Sequence, residues 1–441
     1  MFFNKRNVYL FITVIIAIFL IQFFNLPVKS QVLSSQQLGE LIKETETSWE
    51  KEYEKYFNSD FTNYEKDKSQ IAQQLALLSE ETNTKPAVIW TVPTDKELYL
   101  LLITPNSQPI VKTVRVANSK LLFDITNILY ETVYSSLAIN STAYLPPAKL
   151  LYKWLIKPLE SDLEAENIDT LMLCSGAGLR SFPFAMLHDG KQFLIEKYAL
   201  VRLPAFNLTD ISYDKIDADS LRILAMGVSE FSDRPSLPGV ETELSIITPG
   251  LVPGKILLNR DSTVENLRSQ YQQGDYNLIH LATHAEFNPG SPSNSYIQFA
   301  NTKLSLDKVE RLQLDNPTLD LLVLSACQTA VGNKQAEFGF AGLFLEVGAR
   351  STLASLWDIS DLSTTILMSK FYQNLKSNMV KVKALQQAQV AMLEGQISLP
   401  KSQLRNAQSL VSLVQNAPDD ELERLSHPFY WAGFSLIGNP W

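Results

Sequence analysis

Two stretches decide the fold: Asn277-Leu-Ile-His-Leu-Ala-Thr-His-Ala-Glu-Phe287 and Asp320-Leu-Leu-Val-Leu-Ser-Ala-Cys-Gln-Thr-Ala330. Each carries a short apolar run near its start, in NLIHLA and, after Asp320, in LLVL, with no polar alternation. A strand buried on both faces reads this way, as in a parallel sheet. The runs TLMLC, LVRLP, LRILAMG and STLASLW repeat the pattern and alternate with helical segments. Alternation of this kind predicts an α/β fold built on a mostly parallel sheet flanked by helices. On this reading NLIHLA ends before His284, so His284 lies just past the strand's C-terminal end, followed by Asn288, Pro289 and Gly290. Cys327 follows DLLVLS in the same way, and that rim of an open parallel sheet is where ligands bind.

Upstream, AVIWTV, ELYLLLITP and PIVKTV are short β-rich runs separated by Pro, Asp and Asn, which predicts a β-meander leading into the sheet. Residues 31–84 are polar and helix-favouring, with apolar residues at helical intervals in LGELI and IAQQLALL, and read as two amphipathic helices forming a stalk or cap. Helical patterning returns from Lys120 through Ile156. Residues 230–239 and 395–426 read as surface insertions.

A chain of 441 residues with 45% hydrophobic residues holds enough apolar surface for a substantial core. The 38 Lys plus Arg against 47 Asp plus Glu form no basic stripe, which argues against nucleic acid as a partner. The two cysteines, Cys174 and Cys327, lack metal-ligand spacing, so neither a zinc ribbon nor a disulfide framework is supported. Lys5 and Arg6 precede an uncharged run, Val8–Phe24, and then Val28-Lys29-Ser30. That order predicts a signal peptide or N-terminal membrane anchor over residues 1–30, with the rest of the chain exported or membrane-anchored outside the cytoplasm.

A thiol becomes a thiolate at neutral pH when an imidazole stands beside it, and the imidazolium then protonates a leaving amine. His284 and Cys327 after two buried strands suit that chemistry, and the small Ala285 and Ala326 let backbone N–H groups approach a developing oxyanion. A lone Cys at a strand end also serves as a packed small hydrophobe, and a lone His as a hydrogen-bonded structural residue; spacing leaves both readings open. His280 and His284 stand four apart, but HLATH lacks the Glu of a zincin helix, so no metal and no other cofactor is expected. Cys174, ending TLMLC, reads as a buried structural thiol.

The segments HLATHAEFN, LSACQTA, Gly342–Asp361 (GLFLEVGARSTLASLWDISD), MSKFYQNL, KALQQAQ and HPFYWAGFSLIGNP resemble the CHAT domain, the caspase-like cysteine peptidase domain of clan CD. The likeness continues upstream through Cys174–His188 to about Pro86, assigning residues 85–441 to that domain. The resemblance implies a cysteine endopeptidase acting on protein substrates, with His284 as general base and Cys327 as nucleophile. The backbone amides of Ala285 and Cys327 form the implied oxyanion hole. Two departures stand out: Ala285 replaces the usual Gly after the His, and the usual Asp is missing before Gly176. Trp357, Asp358 and Asp361 follow the next strand, where such folds build the substrate cleft, and an acidic residue there selects a basic P1 side chain. Asp361 alternatively caps the helix starting at Leu362-Ser363. Arg180 faces either an acidic substrate group or solvent. The alternatives are a non-catalytic CHAT module serving protein interaction, and a latent enzyme answering to a regulatory protein partner.

Overall fold

The computed structural model describes residues 35–106, 108–134, 141–215, 217–315, 318–329, 333, 335–396 and 421–441, with 326–329 described by their backbone. Helix α1 (Ser35–Phe57) buries Leu38, Ile42, Trp49, Tyr53 and Phe57, one stripe at helical spacing. Helix α2 (Lys68–Thr82) starts at a capping box: the Asp67 carboxylate accepts from the amides of Ser69 and Gln70, and the Gln70 side chain accepts from the Asp67 amide. It stops at Asn83, whose φ of 53° is left-handed.

Strands β1 (Pro86–Pro93), β2 (Leu98–Ile103) and β3 (Ile110–Val114) form the expected antiparallel meander. Helices α3 (Ser119–Tyr134) and α4 (Leu145–Leu155) follow. β4 (Thr170–Ser175) lies parallel to β1, and β5 (Ala199–Leu203) parallel to β4. Then come β6 (Ile223–Gly227), helix α5 (Val240–Ile247), β7 (Gly254–Leu258), helix α6 (Val264–Gln273), β8 (Leu278–Phe287), β9 (Tyr296–Gln298) and β10 (Lys303–Ser305). The chain continues through β11 (Leu321–Thr329), helix α7 (Ala336–Val347), β12 (Ser351–Ser355), helices α8 (Asp361–Lys376) and α9 (Lys381–Leu393), and β13 (Phe434–Gly438). All strands described join one sheet in the order β10-β9-β8-β11-β12-β13-β5-β4-β1-β2-β3, with β6 beside β8 and β7 outside β6.

The polarity of that sheet turns on β13, which runs parallel to β5 but antiparallel to β12. The block β1, β4, β5 therefore runs opposite to the block β6, β7, β8, β11, β12, and the strands of the two blocks end at opposite rims. This is the expected α/β architecture, a mostly parallel sheet flanked by helices behind a β-rich lead-in and N-terminal helices.

Helix α1 lies on the sheet's own core. Tyr53 meets Phe338 of α7 edge-on at 5.1 Å and Tyr56 stacks on it at 5.2 Å. The Glu46 carboxylate is buried and accepts from Trp90 Nε1 of β1 at 2.5 Å and from the Asn207 amide at 2.9 Å. Burial pushes that carboxyl up to about 7 against the pull of both donors.

The expectation of an exported or membrane-anchored chain, with the membrane as partner, is corrected. No helix among the described residues is long and apolar enough to cross a membrane. The Val8–Phe24 run on which the expectation stood lies outside the described residues, as do residues 397–420 of the second insertion.

Candidate active site on β8 and β11

Strand β8 does not stop before His284 but runs on to Phe287, and β11 runs through Cys327 to Thr329. Both residues lie within strands rather than past their ends. The reason is a change of neighbour along one edge of β8. β6 pairs with it only as far as Gly227 opposite Ala282, and β9 takes over at Ala285 and Glu286. On the other edge β11 pairs with β8 in parallel, and the register slips between Leu324 and Ala326, so that Ala282 and Thr283 face the single Ser325. Such bulges re-aim a strand and occur beside active sites. Beyond the slip Ala326 pairs with His284, and Cys327 with Ala285. Cys327 is thus one strand across and one residue on from His284, about 6 Å between Cα atoms from ordinary sheet spacings.

Between the end of β6 and the start of β9, the edge at Thr283–His284 is met by the segment 228–239. It contains residues 230–239, read from sequence as a surface insertion, and these border His284. Gly227 sets its departure, since a Cβ there would stand 2.3 Å from Val240 Cγ1 and 2.9 Å from Leu244 Cδ1. Val228 N then donates to the Ala282 carbonyl at 3.1 Å. His284 is half-buried. Its Nε2 lies 3.0 Å from the Pro235 carbonyl oxygen, and its ring centroid 4.7 Å from that of Phe231. A carbonyl only accepts, so Nε2 carries the proton, and in the neutral ring Nδ1 is the free basic nitrogen.

Charged contacts fasten this segment. Arg234 donates from Nη1 to Glu286 Oε1 at 2.7 Å and from Nη2 to the Tyr296 hydroxyl at 2.5 Å. Asp233 pairs with Lys303 at 3.1 Å. Burial favours the neutral Glu286 carboxyl, but hydrogen bonds from Tyr296, Arg234 and Asn288 outweigh it and hold the group below the usual carboxylate range.

Asp358 lies past the end of β12, near enough to His284 for their charges to interact. Desolvation raises its carboxyl above the ordinary range, His284 opposes the shift and Glu286 adds to it. Trp357 is fully buried; its Nε1 donates to the Phe429 carbonyl at 2.8 Å and Tyr134 meets its ring edge-on at 5.4 Å. Trp357 is therefore wall. Asp361 is not the helix cap: Ser360 caps α8, accepting from the Ser363 amide at 3.2 Å. Asp361 Oδ2 instead accepts from the Gly239 amide at 2.6 Å and ties down the far end of the His284 segment. Arg180 faces neither a substrate group nor solvent. It is 3% exposed, paired with Glu52 of α1, and its guanidinium lies 4.2 Å from the Phe338 ring centroid.

His280 and His284 do not form a metal pair. His280 is buried, with Nδ1 3.0 Å from the Tyr372 hydroxyl and Nε2 3.0 Å from Glu243 Oε1. Sequence reasoning missed Phe231, Arg234, Pro235 and Glu286. Glu286, in register with the His284 stretch, was the one visible signal; Pro235 acts through a backbone carbonyl, which no residue type announces.

The description CHAT domain matches residues 145–439, two thirds of the chain. The chain belongs to the CHAT domain family. Among curated proteins, this CHAT chain is 23% identical over 355 residues to tetratricopeptide repeat protein 28 of Mus musculus, and 22% over 354 residues to that of Homo sapiens. Each alignment covers 67% of this chain and 13% of the relative, so the CHAT chain spans only about an eighth of the curated relatives it matches. Among solved structures, it is similar to two of the Saccharomyces cerevisiae separase-securin complex. Their TM-scores are 0.46 and 0.45 at 11% and 10% identity, covering 84% and 85% of this chain and 31% of the other chain in both cases.

Proposed function

We propose that this CHAT domain hydrolyses peptide bonds in protein substrates through Cys327 and His284. The observation that supports the reading is the Pro235 carbonyl on His284 Nε2, which fixes the imidazole tautomer at the rim where β8 and β11 both end. In the reaction the Cys327 thiol proton passes to His284 Nδ1, and the thiolate attacks the scissile carbonyl carbon. The N–H groups of Cys327 and Ala285 meet the oxyanion. The imidazolium proton goes to the leaving amine as the C–N bond breaks, and a water deprotonated by His284 then cleaves the thioester. Asp358 selects a cationic P1 side chain by ion pairing at the rim.

The test is labelling of the protein with peptidyl electrophiles carrying basic, acidic or apolar P1 groups, compared with Cys327→Ala, His284→Ala and Asp358→Asn. The expected result is label on native protein, strongest for basic P1, lost in the first two variants and stripped of its P1 preference in the third. Label that persists in Cys327→Ala overturns the dyad. A second reading, a non-catalytic interaction module, draws on the curated relatives, whose name records a repeat and no peptidase. Native protein that never labels favours it.

A further inference from the structure

Among the groups around His284, Arg234 makes no contact with the imidazole, yet between the ends of the overlying segment, tied at Val228 and Gly239, the charged fastenings centre on it. The residue after it supplies the carbonyl on Nε2, and the residue before it pairs with Lys303. Its own guanidinium spans two strands, Glu286 on β8 and Tyr296 on β9, and lies 5.4 Å from the Tyr296 ring centroid. Glu286 and Tyr296 are themselves register partners on those strands. The side chain of Arg234 is 14% exposed, against 56% for Asp233, so its pairing is shielded from solvent and the Asp233–Lys303 pair is not. A planar fork meeting two acceptors at once fixes orientation in a way a point charge does not.

We propose that Arg234 is a positioning residue: by bridging Glu286 and Tyr296 it pins the 228–239 segment so that the Pro235 carbonyl stays on His284 Nε2 and Nδ1 stays free as the base. The inference rests on the His284–Cys327 reading for its catalytic meaning, but the tautomer it predicts is measurable without turnover. Other groups facing the imidazole are the Asp358 carboxylate beyond β12, the Glu286 carboxylate on its own strand and the Phe231 ring above it. None of these accepts the Nε2 proton in place of Pro235.

The experiment uses full-length protein with 15N-labelled histidine, the four histidines being separated by a His284→Ala reference. Native protein shows a single Nε2–H tautomer at His284. Arg234→Ala converts it to a tautomer mixture and slows electrophile labelling of Cys327 by about 10- to 100-fold, the usual range for a lost orienting group. Arg234→Lys, able to reach one acceptor at a time, falls between. Glu286→Gln, which keeps the shape of the bridge but not its charge, gives the same direction should Arg234→Ala fail to fold. An unchanged tautomer in Arg234→Ala, or in Glu286→Gln where that stands in for it, overturns the proposal whatever labelling does. A tautomer that shifts in a protein that never labels sustains the positioning role and sinks the dyad instead.

Discussion

Cys174 and Cys327 each close an apolar run on a parallel strand, yet they end up at opposite rims of one sheet because β13 reverses its polarity. The rim at the end of β4 is sealed. Helix α1 lies over it, Cys174 has no exposure, and burial, reinforced by the Glu46 carboxylate, pushes its thiol well above the ordinary range. The rim at the ends of β8 and β11 is left to a loop, with a half-buried imidazole and an exposed Asp358. Similar strand sequences thus give an inert thiol where a helix covers the strand end, and a candidate site where only a strapped segment does. Arg180 and Arg234 repeat the contrast: both pair with a glutamate over an aromatic ring, one to fasten a helix to the core, the other to fasten a segment over the imidazole.

The contrast breaks most directly by alkylation. Iodoacetamide at pH 7, read by peptide mass spectrometry, is expected to modify Cys327 at least about a thousandfold faster than Cys174, which reacts only through opening of the core. Comparable rates would remove the distinction between the rims. Next in size is the seal itself. Tyr53→Ala, at a site with no exposure, is expected to cost about 3–5 kcal/mol in denaturant unfolding and to speed Cys174 alkylation.

Glu46 sharpens the comparison through pH. Its folded value of about 7 lies above the 4.5 of a free glutamate, so the protonated form is favoured in the folded state. Its contribution to stability is complete below about 4.5, declines as pH rises between the two values, and is fully lost above 7. Glu46→Gln is expected to flatten that decline, worth about 2–3 kcal/mol between pH 4.5 and 8 in urea midpoints. A wild-type profile no steeper than the variant's would show that the two hydrogen bonds, not burial, govern the group. Smallest is Ser360→Ala, expected to cost about 1 kcal/mol of thermal stability by uncapping α8 while leaving Cys174 reactivity unchanged.

What the sequence made legible was local. The meander, the runs TLMLC, LVRLP, LRILAMG and STLASLW, and the helices after residue 35 all announce themselves by the spacing of apolar residues, and each is present. The helical stretch after Lys120 is broken into α3 and α4. The extension of β8 through THAEF was not legible, because polar side chains interrupt the run and its strand character comes from pairing with β9. β7, GKILL, carries no alternation and sits at an edge, held by β6 alone. The burial of Arg180 depends on Glu52, 128 residues away, and nothing near Arg180 in sequence predicts that partner.

That separation also sets a clock. Helix α1 finds its partners at Arg180 and Asn207, 128 and 161 residues downstream. At ordinary rates of synthesis those residues follow about 6 to 30 s later. Through that interval the stripe from Leu38 to Phe57 lacks those partners, with Phe338 later still, and long-range closure is slow to form even when the whole chain is present. The segment made before its partners is thus among the last to dock, and a nascent chain halted short of Asn207 presents that apolar stripe to whatever chaperone is nearest.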